Sequence, residues 1–488
     1  MPRSDDGSDS SEASRSREAA PGVEQSRRLW HSSGVERALL CADIETSIAH
    51  VRTLEQCNVV PREVARQVEE ALQQIAAELS NGQPVLSSGD TSISGGVERR
   101  VHELAGSNAD ILMLGRSLEE RVATNMRVWL RSACIVVGQR INSLRQVLVK
   151  LSERDNEVVM PGYTHMHPSS PMLLADWWLA NEVRMRRDFA RLIDVFKHIG
   201  TLPTGAANQS TESAMMIDRT LTARFLGFEQ VAENRLDAVC DRDYVLEFAS
   251  SASSIGVHIS QMASELLLWS THEHGFVRLP RGFVFRGQTM PMKRNVELLE
   301  IMRSRPSAIT GRLVEFLSQQ KGLPLCFTQD LQESLPGILE IVDNLKFILE
   351  LSSALLPILR FDTSRLRDLA NSDLHNADNA IDFLLERGLP PEKAAQTAQG
   401  LLSYCKDRNR QLYDLTLNEW VQFSPAFTEE IFQFIESSPR EQSYFAHGAE
   451  ALRAEQAVEI ANNSLNSDMQ TVTNLQSKRL NCRELEGV

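Results

Sequence analysis

Apolar residues recur three or four positions apart along most of this chain. Between 122 and 151 the series Val122, Met126, Trp129, Ala133, Val136, Leu144, Val147 and Leu151 traces one face of a helix, with a gap at Arg140. Arg127, Arg131, Arg145 and Lys150 fall between these positions and read as its polar face. The same spacing returns in 172–198, 242–274, 296–320 and 335–359. Such runs are much longer than the mean globular helix of about 11–12 residues. Long apolar stripes need partners, so the helices are expected to pack as a bundle, and surplus stripes can be covered in an oligomer. Alternating strand patterns are nearly absent. The expected fold class is all-α.

Stretches rich in Gly, Pro, Ser, Thr or Asn interrupt the pattern at 86–97, 105–118, 157–171, 200–216, 276–292 and 322–330. Each is expected to be a loop, and loops on a rigid bundle are where ligand contacts concentrate. Residues 1–26 (MPRSDDGSDSSEASRSREAAPGVEQS) offer almost nothing to bury and read as a disordered tail. A composition shift at 363–378 (DTSRLRDLANSDLHNA) suggests a further boundary. The expected organisation is that tail, an N-terminal helical domain over 27–116, a central long-helix bundle over 117–368 and a C-terminal helical domain over 369–488. The polar residues from 465 onward are expected to fray.

Composition narrows the function. Of 488 residues, 42 % are hydrophobic and 24 % charged, which suits a globular chain with a large core. A net charge of −14 argues against a broad nucleic-acid surface, which would be basic. It leaves room for a small pocket of local cations. No run of about 18 apolar residues occurs, so no membrane span is expected. The N-terminus lacks the apolar core of a signal peptide, and a cytoplasmic location is expected. Seven scattered cysteines show no metal-binding spacing and read as free thiols in a reducing compartment. No metal and no cofactor are expected.

Three loops carry groups that could do chemistry. In MPMKRN (290–295), Lys293 and Asn295 follow a proline at a helix entrance, where an ammonium and backbone amides can hold a carboxylate. A Lys-Arg pair at such a place is more often a solvated face. In PGYTHMHPSSP (161–171), Thr164 offers a hydroxyl, and His165 and His167 offer imidazoles that titrate near neutrality. A spacing of two is not helical, and a hydrogen-bonded structural role is the competing account of each histidine. In LGRSLEERV (114–122), Ser117 is placed to cap a helix with Glu120 three residues on, while Arg116 could clamp a carboxylate.

Taken together and in order, these loops resemble the fumarase/aspartase superfamily, and within it the argininosuccinate lyase/δ-crystallin branch. The matching stretches are GVERRVHELAG (96–106), GRS…RVATNMRVWLR (115–131), PGYTH (161–165), DRDYVLEF (241–248), MPMKRN (290–295), KGLP (321–324) and DLQE (330–333). The likeness spans residues 36–460. It implies three helical domains around a central bundle, a homotetramer with active sites shared among subunits, and reversible elimination. A base removes the proton beside a carboxylate, an aci-carboxylate dianion develops, and an amine or alcohol leaves as fumarate forms. By motif position the resemblance implies that Thr164 holds a substrate carboxylate and that Lys293 and Asn295 stabilise the dianion. It further implies that Arg116 and Ser117 grip the succinyl part, that His165 serves the leaving-group side, and that Ser47 and Gln332 touch substrate.

The resemblance breaks at the chemistry. The family loop Gly-Ser-Ser-x-Met-Pro places its proton-abstracting serine where this chain has Gly287, followed by Gln288. Glycine cannot accept a proton. His165, His167 and Thr289 are then the candidate bases. The family's His-Thr/Ala-x-Asn-Glu loop reads Ser94-Gly95-Gly96-Val97-Glu98, and its Ser-Arg-Asn-Asp-Gln loop reads Ser117-Leu118-Glu119-Glu120-Arg121. Its tyrosine after GLP is Phe327, and a lysine beyond DLQE is Leu335. The expected function is a divergent lyase that eliminates an amine from an N-substituted succinate or similar dicarboxylate conjugate other than argininosuccinate. A non-catalytic structural or regulatory relative, and a subunit of a hetero-oligomer whose partner supplies the missing base, are the alternatives.

Overall fold

A computed structural model of the chain describes residues 33–87, 90, 92–205, 217–283, 285–286, 294–326, 328, 330–370, 373–436 and 454–477. Helix α1 (Ser33–Gln56) packs on α2 (Arg62–Ser80) and α3 (Ile93–Ala105), and a 3-10 helix (Gly106–Met113) leads onward. Ile44, Leu54, Leu72, Ile75, Val97 and Leu112 belong to the core that these elements share.

Helix α4 (Leu118–Arg154) has 37 residues and, at 1.5 Å per residue, is about 55 Å long. It is the axis of a bundle whose other helices can be aligned against it by their contacts. Helix α5 (Leu174–His198) runs antiparallel to α4: Arg145 Nε donates to Glu182 at 2.9 Å and Trp178 Nε1 donates to Asp155 at 2.9 Å. After the short α6 (Arg219–Leu226) and α7 (Arg235–Cys240), helix α8 (Asp243–Trp269) runs parallel to α4. Asp241, just before α8, pairs with Arg127, and Glu265 near its far end accepts from Trp177 Nε1 at 2.8 Å. Helices α9 (Glu297–Ser304) and α10 (Pro306–Gln320) retrace α8, with Ser260 Oγ donating to the Arg303 carbonyl at 2.8 Å. The expected single run 296–320 is split because Pro306 has no N–H to continue the ladder. Helix α11 (Asp330–Leu355) is again parallel to α4, with Arg140 paired to Glu350 at 2.7 Å. Trp178, Phe248, Ile259, Phe316 and Leu345 are among the buried residues of this bundle.

Past the bundle, α12 (Thr363–Ala370), α13 (Asp373–Glu386), α14 (Pro391–Asp407), α15 (Leu417–Phe423) and α16 (Glu430–Glu436) follow. Phe383, Leu401, Trp420 and Phe427 form a separate core there. The last described helix, α17 (Ala454–Ser477), returns to α4 and α5. Its Asp468 accepts from Arg145 Nη1 at 2.6 Å, and Val472 enters the bundle core. Residues 465–477, expected to fray, are therefore docked helix.

Two further expectations change. Arg127, Arg131 and Arg145 do not line a polar face; they are 3, 5 and 0 % exposed. Other helices cover the faces of α4 that carry them, and each guanidinium finds partners inside the protein. Arg131 donates to the Leu226 and Gly227 carbonyls, and Arg127 lies over the Tyr244 ring at 4.2 Å. The 157–171 segment is a β-hairpin, β1 (Val159–Thr164) with β2 (His167–Leu173). It turns at His165 (φ 51°) and Met166 (φ 65°). Pro161 and Pro171 cannot donate to a ladder, which weakened the strand signal. The remaining strands are two-residue pairs: β3 (Thr201–Leu202) with β4 (Gln230–Val231), β5 (Val277–Arg278) with β8 (Arg360–Phe361), and β6 (Phe285–Arg286) with β7 (Arg294–Asn295). No helix among the described residues is long and apolar enough to cross a membrane.

Candidate active site

Asp43, Thr46, Ser47 and His50 recur on one face of α1, each at most 2 % exposed. A buried polar stripe must find partners, and the start of α4 supplies them. Asp43 Oδ1 accepts from Ser94 Oγ (2.9 Å), Arg121 Nε (2.7 Å) and Asn125 Nδ2 (2.6 Å). Its Oδ2 accepts from Arg121 Nη2 at 2.5 Å, and Arg121 also pairs with Glu98. Burial alone would raise the Asp43 carboxyl, but the Arg121 guanidinium holds it below its ordinary value.

Arg116 is in the opposite situation. It is 3 % exposed. Its Nε donates to the Leu112 carbonyl at 2.7 Å and its Nη2 to Ser47 Oγ at 3.0 Å. Among the described residues no carboxylate lies within ion-pair distance of it. Burial, and then the charge of Arg121, push its guanidinium down to about 9. It still carries a proton at neutral pH. His50 lies beside it, with Nε2 3.0 Å from the Leu114 carbonyl. A carbonyl only accepts, so Nε2 bears the proton and the buried Nδ1 lone pair has no partner among the described residues. Burial and the Arg116 charge depress this imidazole well below 6.5, so it is neutral. Ser117 caps α4: its Oγ accepts from the Glu120 N–H at 3.3 Å while Glu120 Oε2 accepts from the Ser117 N–H at 2.9 Å.

The other candidates lie elsewhere. Thr164 and His165 are exposed at the hairpin tip, as is His167. That hairpin follows the C-terminal end of α4 and rests on α12. Asn295 pairs with Phe285 and precedes α9. Because α9 begins where α8 ends, Asn295 belongs to the hairpin's end of the bundle. Gln332 is in the first turn of α11, next to Leu331, whose carbonyl accepts from Arg242 Nε at 3.2 Å. It belongs with Ser47, Arg116 and Ser117 at the N-terminal end of α4. One chain thus presents two groups of candidates at opposite ends of a helix about 55 Å long. Lys293, Thr289 and Gly287 lie outside the described residues, as does Phe327.

Several family-divergent positions are buried. Ser94 is bonded to Asp43, Val97 is fully buried in the N-terminal core, and Leu335 packs against Leu39. The roles of Asp43, His50, Arg121 and Asn125 were missed from the sequence. Their signal was the polar repeat Asp43, Thr46, Ser47, His50, spaced as one helical face. Among the described residues no cluster of three or more His, Cys, Asp or Glu side chains is placed to hold a metal.

A family profile described as "Lyase" matches residues 22–311. The argininosuccinate lyase of Synechococcus sp. (strain JA-3-3Ab) is 37 % identical over 412 residues, 84 % of each chain. That of Desulfatibacillum aliphaticivorans is 32 % identical over 82 % of this chain and 86 % of its own. Among solved structures, EDDS lyase in complex with formate superposes with a TM-score of 0.78 at 20 % identity, covering 95 % of this chain and 94 % of that one. The 3-carboxy-cis,cis-muconate lactonizing enzyme of Pseudomonas putida gives 0.69 at 18 % identity, covering 93 % and 98 %. The helical bundle, the ordered motifs and these full-length relatives agree: the chain belongs to the argininosuccinate lyase branch of the fumarase/aspartase superfamily.

Proposed function

We propose that this lyase eliminates an amine from an N-substituted succinate other than argininosuccinate and releases fumarate. The observation that carries the reading is Arg116, a buried guanidinium beside Ser47 with no carboxylate partner among the described residues. A buried charge is ordinarily paired, and a substrate carboxylate would complete this one. Thr164 and Asn295, with Lys293, would grip the other carboxylate and stabilise the dianion as it forms. Because these two groups sit at opposite ends of one chain, the complete site would be built from more than one copy, in a homotetramer. In the elimination, His165 or Thr289 would take the proton beside the carboxylate. The electron pair left on carbon forms the new double bond, and the C–N bond breaks toward nitrogen, which is protonated as it leaves. Argininosuccinate is disfavoured because Ser94 and Val97 stand where the family resemblance implies a histidine and an asparagine, and Ser94 Oγ donates to Asp43.

A second reading, a non-catalytic relative or a subunit that borrows a base from an active partner, rests on Gly287. One experiment separates the two. The purified protein is incubated with a panel of N-succinyl amines and argininosuccinate while fumarate is followed by its ultraviolet absorbance. Fumarate binding is measured in parallel by calorimetry; a variant of EDDS lyase, which shares the fold, holds fumarate. Turnover of a panel member, with argininosuccinate inert, is the expected result. Binding without turnover selects a subunit that lacks its base, and neither binding nor turnover overturns the lyase reading and leaves the non-catalytic relative.

A further inference from the structure

Residues 112–117 carry Arg116 from the 3-10 helix to the cap of α4. Within this segment the Leu114 N–H reaches the Ile111 carbonyl at 3.1 Å and the Arg116 N–H reaches that of Met113 at 3.4 Å. Gly115 takes φ 74°, a left-handed conformation that glycine adopts without steric cost. The chain turns there, and on either side of the turn it bonds to α1. Among the described residues two hydrogen bonds tie the segment to that helix. His50 Nε2 donates to the Leu114 carbonyl at 3.0 Å, and Arg116 Nη2 donates to Ser47 Oγ at 3.0 Å. Ser47 and His50 stand three residues apart, neighbours on one face of α1.

The imidazole is costly where it stands. It is 1 % exposed, and its Nδ1 lone pair is buried without a partner. An apolar side chain would avoid that penalty. Packing therefore does not account for a histidine here, whereas its bond to Leu114 does. The ring is neutral, so it fastens the segment without setting a second positive charge beside Arg116.

We propose that His50 is a positioning residue for Arg116: by holding the Leu114 carbonyl it fixes the turn at Gly115 and so aims the guanidinium at the ligand carboxylate. The inference rests on the reading of Arg116 as a carboxylate clamp. The Leu112 carbonyl holds Nε at 2.7 Å, Ser47 holds Nη2, and His50 holds the backbone that carries both. Nη1 makes no hydrogen bond among the described residues and is left for the ligand. With the backbone fixed in advance, its ordering is a cost of folding and not of binding.

The test compares three full-length proteins: wild type, His50→Leu and His50→Gln. Leucine fills the space and removes the donor, while the glutamine amide can return an N–H to the Leu114 carbonyl. Amide hydrogen exchange is followed by mass spectrometry without ligand, and fumarate affinity is measured by calorimetry. His50→Leu should speed exchange across 112–117 and weaken fumarate about tenfold, the size of one lost hydrogen bond. His50→Gln should return both to wild-type values. A leucine protein that exchanges and binds like wild type overturns the inference. So does lost affinity with exchange unchanged, and so does a glutamine protein no better than the leucine one, since packing would then be the cause. If His50→Leu does not fold, His50→Phe replaces it as a ring without a donor and is read against His50→Gln in the same way. A wild-type protein that binds no fumarate overturns the clamp reading and this inference with it, before any substitution is made. Wild-type binding that His50→Leu keeps in full overturns the inference alone.

Discussion

Arg116 and Arg121 stand five residues apart and face opposite electrostatic conditions. Arg121 meets two carboxylates, Asp43 and Glu98, whereas Arg116 meets a hydroxyl and a carbonyl. Removing Arg121 would strand a fully buried Asp43. Arg121→Met should lower stability by about 3–5 kcal/mol, read as a reduced midpoint in urea unfolding. His50 makes a second prediction, in pH. Its folded-state pKa lies well below the unfolded value of 6.5. The unfolded chain therefore binds the proton first, and stability rises with pH in this window. Stability should fall as pH drops below about 6.5, toward the depressed folded value. His50→Asn should flatten that slope when unfolding free energies are compared at several pH values on either side of it. Asp43 acts in a separate window: its carboxyl is depressed from 3.8, so its contribution persists at neutral pH and is lost only below that value.

At the scale of elements, α4 shows what periodicity captures and what it misses. The apolar stripe from Val122 to Leu151 located the helix and its length. It could not show that the arginines between those positions are buried too, because a stripe records one face and other helices cover α4 on more than one. The partners of those arginines are remote in sequence: Asp241 for Arg127, the end of α6 for Arg131, Asp468 for Arg145. The hairpin was hidden for a different reason, its prolines and its turn with two positive-φ residues. Helix α17 was hidden because its polar composition resembles that of a free tail, while a few contacts hold it. That last point is testable. Asp468→Asn weakens a charge-assisted bond worth about 1.5–3 kcal/mol. It should raise amide hydrogen exchange across 454–477 while exchange in α4 and α8 stays unchanged.

At the scale of the molecule, the candidate contacts divide between the two ends of α4. Family motifs found most of these residues, but no feature of a single sequence shows which end each occupies; that follows only from the helix directions. If copies combine to make each site, variants damaged at different ends should rescue one another. Gln332→Ala and Thr164→Val should each abolish fumarate binding alone. Chains of both kinds, unfolded together and refolded, should regain a fraction of the sites counted by calorimetry. Absence of any recovery would mean that each chain carries its site unaided. Light scattering should report a particle of about four times the 54.7 kDa chain mass.

The length of α4 has a consequence for how such a protein changes over time. With about 50 Å of packed helix between them, the two ends are insulated: a substitution that reshapes one leaves the geometry of the other untouched. A change at Thr164 therefore alters only the hairpin's end of the bundle. The far end stays intact, so each end can drift or specialise on its own schedule.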